Sequence, residues 1–306
     1  MARPRISIVI ATRRRPAGLV AAARSAFHQA GVDAPTLEMV IVDNDEGGSA
    51  RILADALAQE APFAVAYVHE PAPGVANARN AAIARASGAF IAFLDDDQEA
   101  SPGWLYALSL VQARYDADAV FGPVKARTPK SLGVHRPYLE RFFSRAGPSA
   151  DGLITHHHGC GGALIRRAAL PNPDAPFSTG RGHGEDDLLF AKMRAAGARL
   201  AWAPRAWLWQ DPDPSRLTLG YAIRRAFAYG QAPSSARAIA CPPDRLGLAE
   251  SMAEGMVQAT IFGLIATVKW FVGAKDWTEA LDRAARGLGK TLWWGPFRLR
   301  LERGPA

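Results

Sequence analysis

The sequence has only two cysteines, Cys160 and Cys241, among 306 residues. Two cysteines give neither a disulfide framework nor a spaced set of metal ligands, which favours a reducing cytoplasm. The N-terminus has basic residues but lacks the sustained apolar stretch and cleavage site of a secretory signal. We therefore expect the protein to stay inside the cell.

The sequence also lacks the motifs of several common functional classes. There is no Gly-x-Ser-x-Gly motif of a serine hydrolase. No helix-turn-helix, zinc-finger or aromatic RNA-binding signature accompanies the formal net charge of +7, so nucleic acid is not an expected partner. The stretch 287–291 is similar to the end of a phosphate-binding loop, but Ala284 stands where that loop requires its first glycine.

An apolar run that ends in three carboxylates is the most informative feature that is present. Residues 90–94 are Phe-Ile-Ala-Phe-Leu, and Asp95, Asp96 and Asp97 follow at once. This pattern predicts a buried strand whose carboxyl end binds Mg²⁺ or Mn²⁺, because like charges held so close need a cation to offset their repulsion. The alternative is a solvated turn in which one acid caps the helix before Pro102.

The preceding chain predicts an α/β fold with a mostly parallel sheet and helices on both faces. The predicted strands are 5–11, 39–42 and 64–68, and the predicted helices are about 16–30, 49–60 and 75–86. Ligands of such sheets bind at the carboxyl ends of the strands. Asp43, Asp45, the three later aspartates and Thr12 with its basic run 13–15 should all lie at that edge. Such a site suits a nucleotide diphosphate bridged by a divalent ion.

Four segments resemble the consecutive signatures of family 2 glycosyltransferases with the GT-A fold. They are residues 8–16, 40–45, 73–82 and 93–97. A fifth, residues 184–190, opens a predicted helix after the glycine-rich stretch 180–183 and looks like the family's Glu-Asp motif, whose aspartate acts as general base. The alternative for these last acids is that they only favour the positive end of a helix.

The resemblance implies a role for each matching residue. Asp186 would be the base and Asp97 the metal ligand, with Asp95 as an alternative ligand. The register within the acidic run could also be off by one. On the donor side, Asp43 would bind the nucleotide base, Arg79 the base or phosphates, and Asp96 the ribose, while Thr12 and Arg15 would line the pocket.

The family often places a histidine after the last strand of the domain, but this chain has Trp-Leu-Trp-Gln-Asp at 207–211. Gln210 or Asp211 could replace that histidine as a metal ligand through oxygen. On the acceptor side the resemblance suggests Glu185, His158 and Trp209. A zinc site at the histidines 156–158 is not expected, because neighbouring side chains of an extended segment point to opposite faces.

Within the family, the chain is most similar to bacterial exopolysaccharide transferases of the succinoglycan-assembly type. The residues that carry this similarity are 42–45, 67–71, 121–124, 216–218 and 224–227. Such enzymes extend lipid-linked oligosaccharides from nucleotide sugars, with inversion at the anomeric carbon. The resemblance covers residues 5 to about 230 and implies a UDP-sugar donor and a saccharide acceptor that is lipid-linked.

The sequence divides into a predicted GT-A domain, 1–215, and a helical C-terminal region, 216–306. Fourteen uncharged residues, 255–268, are followed by tryptophans at 270, 277, 293 and 294 and by a basic stretch, 283–303. This composition is typical of a segment on an anionic membrane surface. A helical pair packed on the catalytic domain is the alternative. We expect a cytoplasmic protein, peripheral on the inner face of the membrane.

The sequence therefore predicts an inverting, metal-dependent, UDP-sugar glycosyltransferase of exopolysaccharide assembly. Two alternatives remain. A nucleotidyltransferase of related fold would need a lysine-rich phosphate signature near the first strand, where this chain has Arg13 to Arg15 without a glycine-rich loop. A catalytically silent scaffold of a membrane assembly complex would bind a UDP-sugar without turning it over.

Overall fold

A computed structural model of the protein describes residues 5–179, 184–239 and 242–299. The chain divides into two compact units. Unit 1 runs to Arg127 and resumes from Ser144 to Asp211, whereas unit 2 takes Thr128–Phe143 and the chain from Pro212 onward. All of the predicted site residues belong to unit 1.

Unit 1 begins with the predicted alternation of strands and helices. The strands are β1 (Ile6–Thr12), β2 (Leu37–Asp43), β3 (Ala64–His69) and β4 (Phe90–Phe93), and the helices between them are α1 (Pro16–Phe27), α2 (Arg51–Glu60) and α3 (Val75–Arg85). These strands pair in parallel in the order β3-β2-β1-β4. The run Ile6 to Ile10 is buried throughout, as expected for a parallel strand that is covered on both faces.

Short strands continue this sheet and form a second one. The further elements of unit 1 are β5 (Gln98–Ala100), α4 (Trp104–Tyr115), β6 (Ala119–Phe121), β7 (Val124–Ala126), β8 (Gly152–Ile154), β9 (Leu164–Arg166), α6 (Glu185–Ala195), β10 (Leu200–Trp202) and β11 (Leu208–Gln210). The large sheet has the order β3-β2-β1-β4-β9-β6-β10-β8, and the small one has the order β5-β11-β7. Strand β9 runs antiparallel to β4 and β6.

Strand β9 starts at Leu164, directly after a tight turn. Gly162 has a φ of +78°, and the amide of Ala163 donates to the carbonyl of Cys160 at 2.8 Å. This tight turn cannot continue an extended strand.

Two hydrophobic layers cover the large sheet. Ile8 and Ile10 of β1 face one layer, which includes α1, α2 and α4, whereas Val9 faces the other, which includes α3 and α6. Helix α1 lies very close to the acidic run, since a Cβ on Gly18 would collide with the carbonyl oxygen of Asp96. The layers thus fix the strand ends that carry the polar residues.

Unit 2 is helical. Its helices are α5 (Arg136–Phe143), α7 (Leu219–Ile239), α8 (Arg245–Phe271) and α9 (Trp277–Thr291). Short 3₁₀ segments lie at Lys130–His135, which is kinked at Gly133, and at Pro214–Arg216 and Gly295–Phe297; unit 1 has such segments at Ala34–Thr36 and Arg167–Ala169. Tyr138 and Leu139 of α5 pack with Ala222 of α7. The Tyr138 hydroxyl also bonds to Oδ1 of Asp282 at 3.1 Å.

This packing differs from the division that we predicted at residue 215. Residues 128–143 lie inside the predicted N-terminal domain by sequence position, but the apolar face of α5 is buried against the C-terminal helices. Among the described residues, α8 alone is long and apolar enough to cross a membrane by length and composition, with a mean hydropathy of 1.3 in its most apolar window.

Candidate active site

Polar side chains meet at the carboxyl edge of the parallel strands, because the register brings the strand ends level. Thr12 of β1 lies beside Asp43 of β2, and Asp43 lies beside His69 of β3. The amide of Leu94 donates to the carbonyl of Val9 at 3.1 Å. The three aspartates that follow Leu94 therefore reach the same edge.

Asp96 is the least exposed of these three adjacent aspartates. The Thr12 hydroxyl donates to Oδ2 of Asp96 at 2.9 Å, and Nη1 of Arg15 lies 3.3 Å from its Oδ1. Burial raises the pKa of Asp96, while Arg15 and Thr12 act in the opposite direction. The same Nη1 lies 3.7 Å from Oδ2 of Asp97. Thr12 and Arg15 thus contact the acidic run directly.

Asp43 orders the loop after β2 and has no exposed surface. Its Oδ1 accepts from the amide of Asp45 at 3.0 Å, and its Oδ2 accepts from the amide of Ala50 at 2.6 Å and from the Tyr67 hydroxyl at 3.1 Å. Burial and the adjacent Asp43 raise the pKa of Tyr67 to about 12. Both oxygens of Asp43 are therefore engaged, and its contact with a nucleotide base stays a prediction.

Arg79 of α3 connects carboxylates from two distant segments. Its guanidinium forms a direct ion pair with Asp186 at the start of α6, and it lies 3.6 Å from Oδ1 of Asp95 and 3.6 Å from Oε1 of Glu185. The Arg79 side chain is only 8% exposed. Burial alone would lower the pKa of Arg79, but the carboxylates led by Asp186 raise it above its usual value. Arg79 thus acts here as a buried counter-charge, and its donor contact stays a prediction.

A loop holds the second oxygen of Asp186. The backbone amide of Cys160 donates to Oδ2 of Asp186 at 2.9 Å. Arg145 ties down this loop, since its guanidinium donates to the carbonyl oxygens on either side of Cys160 at 2.9 and 2.7 Å and to that of Gly122 at 2.8 Å. Burial lowers the pKa of Arg145 to about 10 and raises the pKa of the Cys160 thiol. Asp186 is therefore oriented from two sides.

The acidic run fits a divalent cation that is shared with a substrate. No group of three His, Cys, Asp or Glu side chains in the described part of the chain is placed to hold a metal by itself. Mg²⁺ is usually bound by one or two carboxylates together with substrate phosphates, and Mn²⁺ prefers the same oxygen ligands. Asp97 and Asp95 offer such carboxylates, with 15% and 40% of their side chains exposed. They suit Mg²⁺ or Mn²⁺ completed by a diphosphate.

The residues at the end of β11 lie next to the acidic run. Gln210 pairs with the first residue of β5, and the amide of Asp211 donates to the carbonyl oxygen of Asp97 at 2.8 Å. The Asp211 carboxylate already has a cationic partner, because Nε of Arg127 lies 2.7 Å from its Oδ1. The Arg127 guanidinium also lies 5.8 Å from the centroid of the Trp209 ring. Metal ligation by Gln210 or Asp211, and acceptor contact by Trp209, stay predictions.

The consecutive histidines have different surroundings. His158 packs against the rings of Phe121 and Trp202, with centroids 5.6 and 5.1 Å away, and burial lowers its pKa to about 4. His157 lies with its Nε2 3.0 Å from Oδ1 of Asp187. A contact between His158 and an acceptor stays a prediction.

Sequence reasoning missed two contributors to the site. The guanidinium of Arg145 binds backbone carbonyls of the loop, and the backbone amide of Cys160 binds Asp186. No sequence motif or periodicity predicts a contact with backbone atoms. The charge of Arg145 in the otherwise small and polar stretch 144–152 is the one signal that could have drawn attention to it. The glycine-rich stretch 180–183, which we expected before the base, lies outside the described residues.

Comparisons with known proteins identify the family of the chain. The sequence model described as Glycosyl transferase family 2 matches residues 7–172. The succinoglycan biosynthesis protein ExoM of Rhizobium meliloti (strain 1021) is 35% identical over 231 residues, which cover 74% of this chain and 73% of that protein. ExoO of the same strain, also a succinoglycan biosynthesis protein, is 28% identical over 217 residues, which cover 66% of this chain and 59% of that protein.

Solved structures with similar folds are glycosyltransferases. Mannosyltransferase PcManGT from Pyrobaculum calidifontis, in complex with GDP-Man and Mn²⁺, has a TM-score of 0.57 and 20% identity, covering 96% of this chain and 88% of that one. S. aureus TarS 1-349 in complex with UDP has a TM-score of 0.55 and 14% identity, covering 94% and 90%. The predicted GT-A fold is confirmed.

Proposed function

The chain belongs to glycosyl transferase family 2, and we propose that it transfers a sugar from a UDP-sugar to a saccharide hydroxyl, with inversion at the anomeric carbon. One observation carries this proposal: Arg79 holds Asp186 of α6 next to the acidic run that follows β4. Two sets of carboxylates at one edge suit two separate tasks, proton removal from the acceptor and binding of the departing nucleotide.

The donor is best supported as a nucleotide sugar with its diphosphate at the acidic run. Thr12 and Arg15 contact Asp96 directly, so a basic side chain and carboxylates stand together where a diphosphate and a divalent cation would meet. The relatives of similar fold were solved with UDP or GDP-Man, which supports a nucleotide sugar without selecting its base.

In the proposed reaction, Asp186 accepts the proton of an acceptor hydroxyl. The hydroxyl oxygen then forms a bond to the anomeric carbon while the bond from that carbon to the diphosphate oxygen breaks on the opposite face. The electron pair of the broken bond leaves with the diphosphate. Asp186 is suited to this role because Arg79 and the Cys160 amide fix its orientation before the acceptor arrives.

Asp97, with Asp95 as the alternative, would hold Mg²⁺ or Mn²⁺ in this reaction. When bound, the cation supplies charge neutralisation for the departing diphosphate. The complex of PcManGT with Mn²⁺ supports a divalent metal in this fold.

The acceptor is proposed to be a lipid-linked saccharide at the inner face of the membrane, in the assembly of an exopolysaccharide. This part of the proposal is supported by the similarity to ExoM, a succinoglycan biosynthesis protein. It also agrees with the apolar C-terminal helix α8.

The proposal can be tested in two steps with the full-length protein. A thermal-shift panel of nucleotide sugars, with and without Mn²⁺, identifies the donor, since a ligand that binds the native state raises its apparent stability. The stabilising donor is then incubated with lipid-linked saccharides, and the anomeric configuration of the product is read by NMR. We expect metal-dependent binding and an inverted linkage.

Three outcomes would contradict the proposal. Retention of configuration would exclude the direct displacement. Release of pyrophosphate from a nucleoside triphosphate and a sugar phosphate would favour a nucleotidyltransferase. Donor binding without turnover on any acceptor would favour a catalytically silent scaffold.

A further inference from the structure

Helix α8 presents its large apolar side chains to solvent. Val257, Ile261, Leu264 and Val268 are between 48% and 65% exposed. Their spacings of four, three and four residues place them on one face of the helix. The face continues into Phe271 at 76% exposure, so its length is about 21 Å at about 1.5 Å per residue. Monomeric soluble proteins rarely expose contiguous apolar surface of this kind.

The buried side of α8 is made of small residues. Its buried residues are Gly247, Ser251, Gly255 and Ala266. A Cβ on Gly255 would lie 2.6 Å from the carbonyl oxygen of Gly287 in α9, and a Cβ on Gly287 would lie 2.6 Å from the amide nitrogen of Ala259. The backbones of α8 and α9 therefore approach each other through glycine.

This arrangement is the reverse of an ordinary surface helix. A helix of a soluble domain buries its large apolar side chains and exposes polar ones. Helices in a lipid environment instead pack through small residues and turn large apolar side chains to the lipid. The same packing recurs between α7 and α9, where a Cβ on Gly230 would collide with the backbone of Arg286.

The surroundings of the exposed face suit an anionic lipid surface. No acidic residue occurs from Gly255 to Val268. Besides Phe271, three exposed aromatic residues lie at or beyond the C-terminal end of α8, namely Trp270, Trp294 and Phe297, at 58%, 39% and 44% exposure. Exposed basic residues follow the face as well, at Lys275, Arg283 and Arg298. Aromatic side chains and arginines or lysines are the usual residues of the headgroup layer.

We propose that the exposed face of α8, defined by Val257, Ile261, Leu264, Val268 and Phe271, docks on the surface of an anionic bilayer with the helix lying in the interfacial layer. The inference rests on the packing of unit 2 and does not require the proposed transfer reaction.

Helix α8 as a whole is long enough to cross a bilayer, but its uncharged part is short, which favours an orientation in the plane of the surface. Fourteen residues extend about 21 Å, whereas the hydrocarbon core is about 30 Å thick. Helix α9, which packs along α8, carries Asp282 and Arg283 and would bring both charges into the core of a bilayer.

Flotation of the full-length protein with phosphatidylcholine vesicles, with and without phosphatidylglycerol, tests the proposal. The double variant Leu264→Glu, Val268→Glu places two carboxylates on the face. Its matched control is Ile52→Glu, because Ile52 on α2 is equally apolar and 86% exposed but lies in unit 1. We expect the wild type and Ile52→Glu to float with the anionic vesicles, and the double variant to float at least tenfold less.

Salt should also weaken the binding severalfold between about 0.1 and 0.5 M, because the attraction is screened over about 10 Å at the lower value. The double variant should have an unchanged circular dichroism spectrum and an unchanged donor affinity. These results would show that its fold and unit 1 are intact. Flotation measures membrane binding directly, so its result does not depend on whether the protein shows transfer activity.

Three results would overturn the proposal. Equal flotation of the wild type and the double variant would place the membrane contact elsewhere. A wild type that does not float but forms a dimer, with a monomeric double variant, would identify a second copy as the occupant. Resistance of the wild type to carbonate extraction would indicate a membrane-spanning α8.

Discussion

Arg79 and Asp186 form an ion pair although 107 residues separate them in sequence. The partner of Arg79 is Oδ1 of Asp186, and Oδ2 accepts from the Cys160 amide. Each carboxylate oxygen can accept more than one hydrogen bond, so both retain capacity for an acceptor hydroxyl. The proposed base is thereby oriented while it can still accept a further hydrogen bond.

Replacing Asp186 by asparagine should separate binding from transfer. The asparagine side chain cannot take a proton, so we expect transfer to fall by about two to four orders of magnitude while donor affinity persists. The amide offers one acceptor oxygen where two donors face Asp186, so stability should also fall by about 1 to 2 kcal/mol. A direct acceptor assay, donor calorimetry and urea unfolding measure the three quantities.

Asp187→Asn is the matched control, because this neighbouring carboxylate pairs with His157 and is 76% exposed. It should keep most of its transfer activity. If Asp187→Asn lost activity and Asp186→Asn retained it, the general base would be Asp187 and not Asp186.

Asp97→Ala should abolish metal-dependent UDP binding and leave the fold intact. The Asp97 carboxylate lies at the edge of the sheet and not in its hydrophobic layers, so the loss of stability should stay below about 1 kcal/mol. Calorimetry with UDP and Mn²⁺ measures the effect, and Asp116→Ala, at a 72% exposed aspartate outside the site, is the control. Unchanged Mn²⁺-dependent affinity in Asp97→Ala would move the ligand to Asp95 or Asp96.

Arg145→Met should slow sugar transfer without weakening the binding of the donor. Arg145 positions the loop whose amide contacts Asp186, so we expect kcat to fall about tenfold to a hundredfold, with an unchanged Kd for the donor. Arg145→Lys keeps the charge and some donors and should recover part of kcat. Arg114→Met, at an exposed arginine that pairs with Asp151, should have no effect on kcat. A parallel loss of donor affinity and kcat in Arg145→Met would indicate a general structural role.

His158 should make the protein less stable in acid. Its pKa in the folded protein is about 4, whereas the unfolded chain protonates it near its ordinary value of 6.5. The unfolded state therefore binds more protons, and stability is lost as the pH falls below about 6.5, levelling off near 4. Between about pH 7 and 5, the free energy of unfolding of the wild type should fall by about 1 kcal/mol more than that of His158→Phe, because partial exposure of the ring to solvent reduces the effect of the pKa shift.

Urea unfolding at the two pH values measures this difference. His28→Phe changes an exposed histidine outside this segment and should retain the pH dependence of the wild type. An identical pH dependence in His158→Phe would show that His158 has the same pKa in the folded and unfolded states.

The sequence predicted the first half of unit 1 well because its strands and helices are regular. The run Ile6 to Ile10 is apolar throughout except for Ser7, as buried parallel strands are, and the intervening alanine-rich segments are helical. The excursion 128–143 could not be assigned, because its membership depends on Tyr138 and Leu139 packing against residues that are far away in sequence. Local periodicity contains no information about such a partner.

The sequence predicted that the candidate residues meet at one edge of the sheet, but it did not predict their contacts. The resemblance implied roles for Asp186 and the acidic run, and the strand register brings Thr12 and Asp43 to the same edge. It did not indicate that Arg79 is buried among carboxylates or that both oxygens of Asp43 are engaged. These features depend on how side chains from separate elements meet, which a linear pattern does not record.

The excursion of Thr128–Phe143 into unit 2 also determines the order in which the protein can be completed during translation. Tyr138 bonds to Asp282, which is 144 residues further along the chain. At about 5 to 20 residues per second, the ribosome needs roughly 7 to 29 s to synthesise that interval. The strands of unit 1 can pair during this time, while Tyr138 and Leu139 wait for the helices that will bury them. The nascent chain therefore passes through a stage with an exposed apolar helix, which a ribosome-bound chaperone could cover.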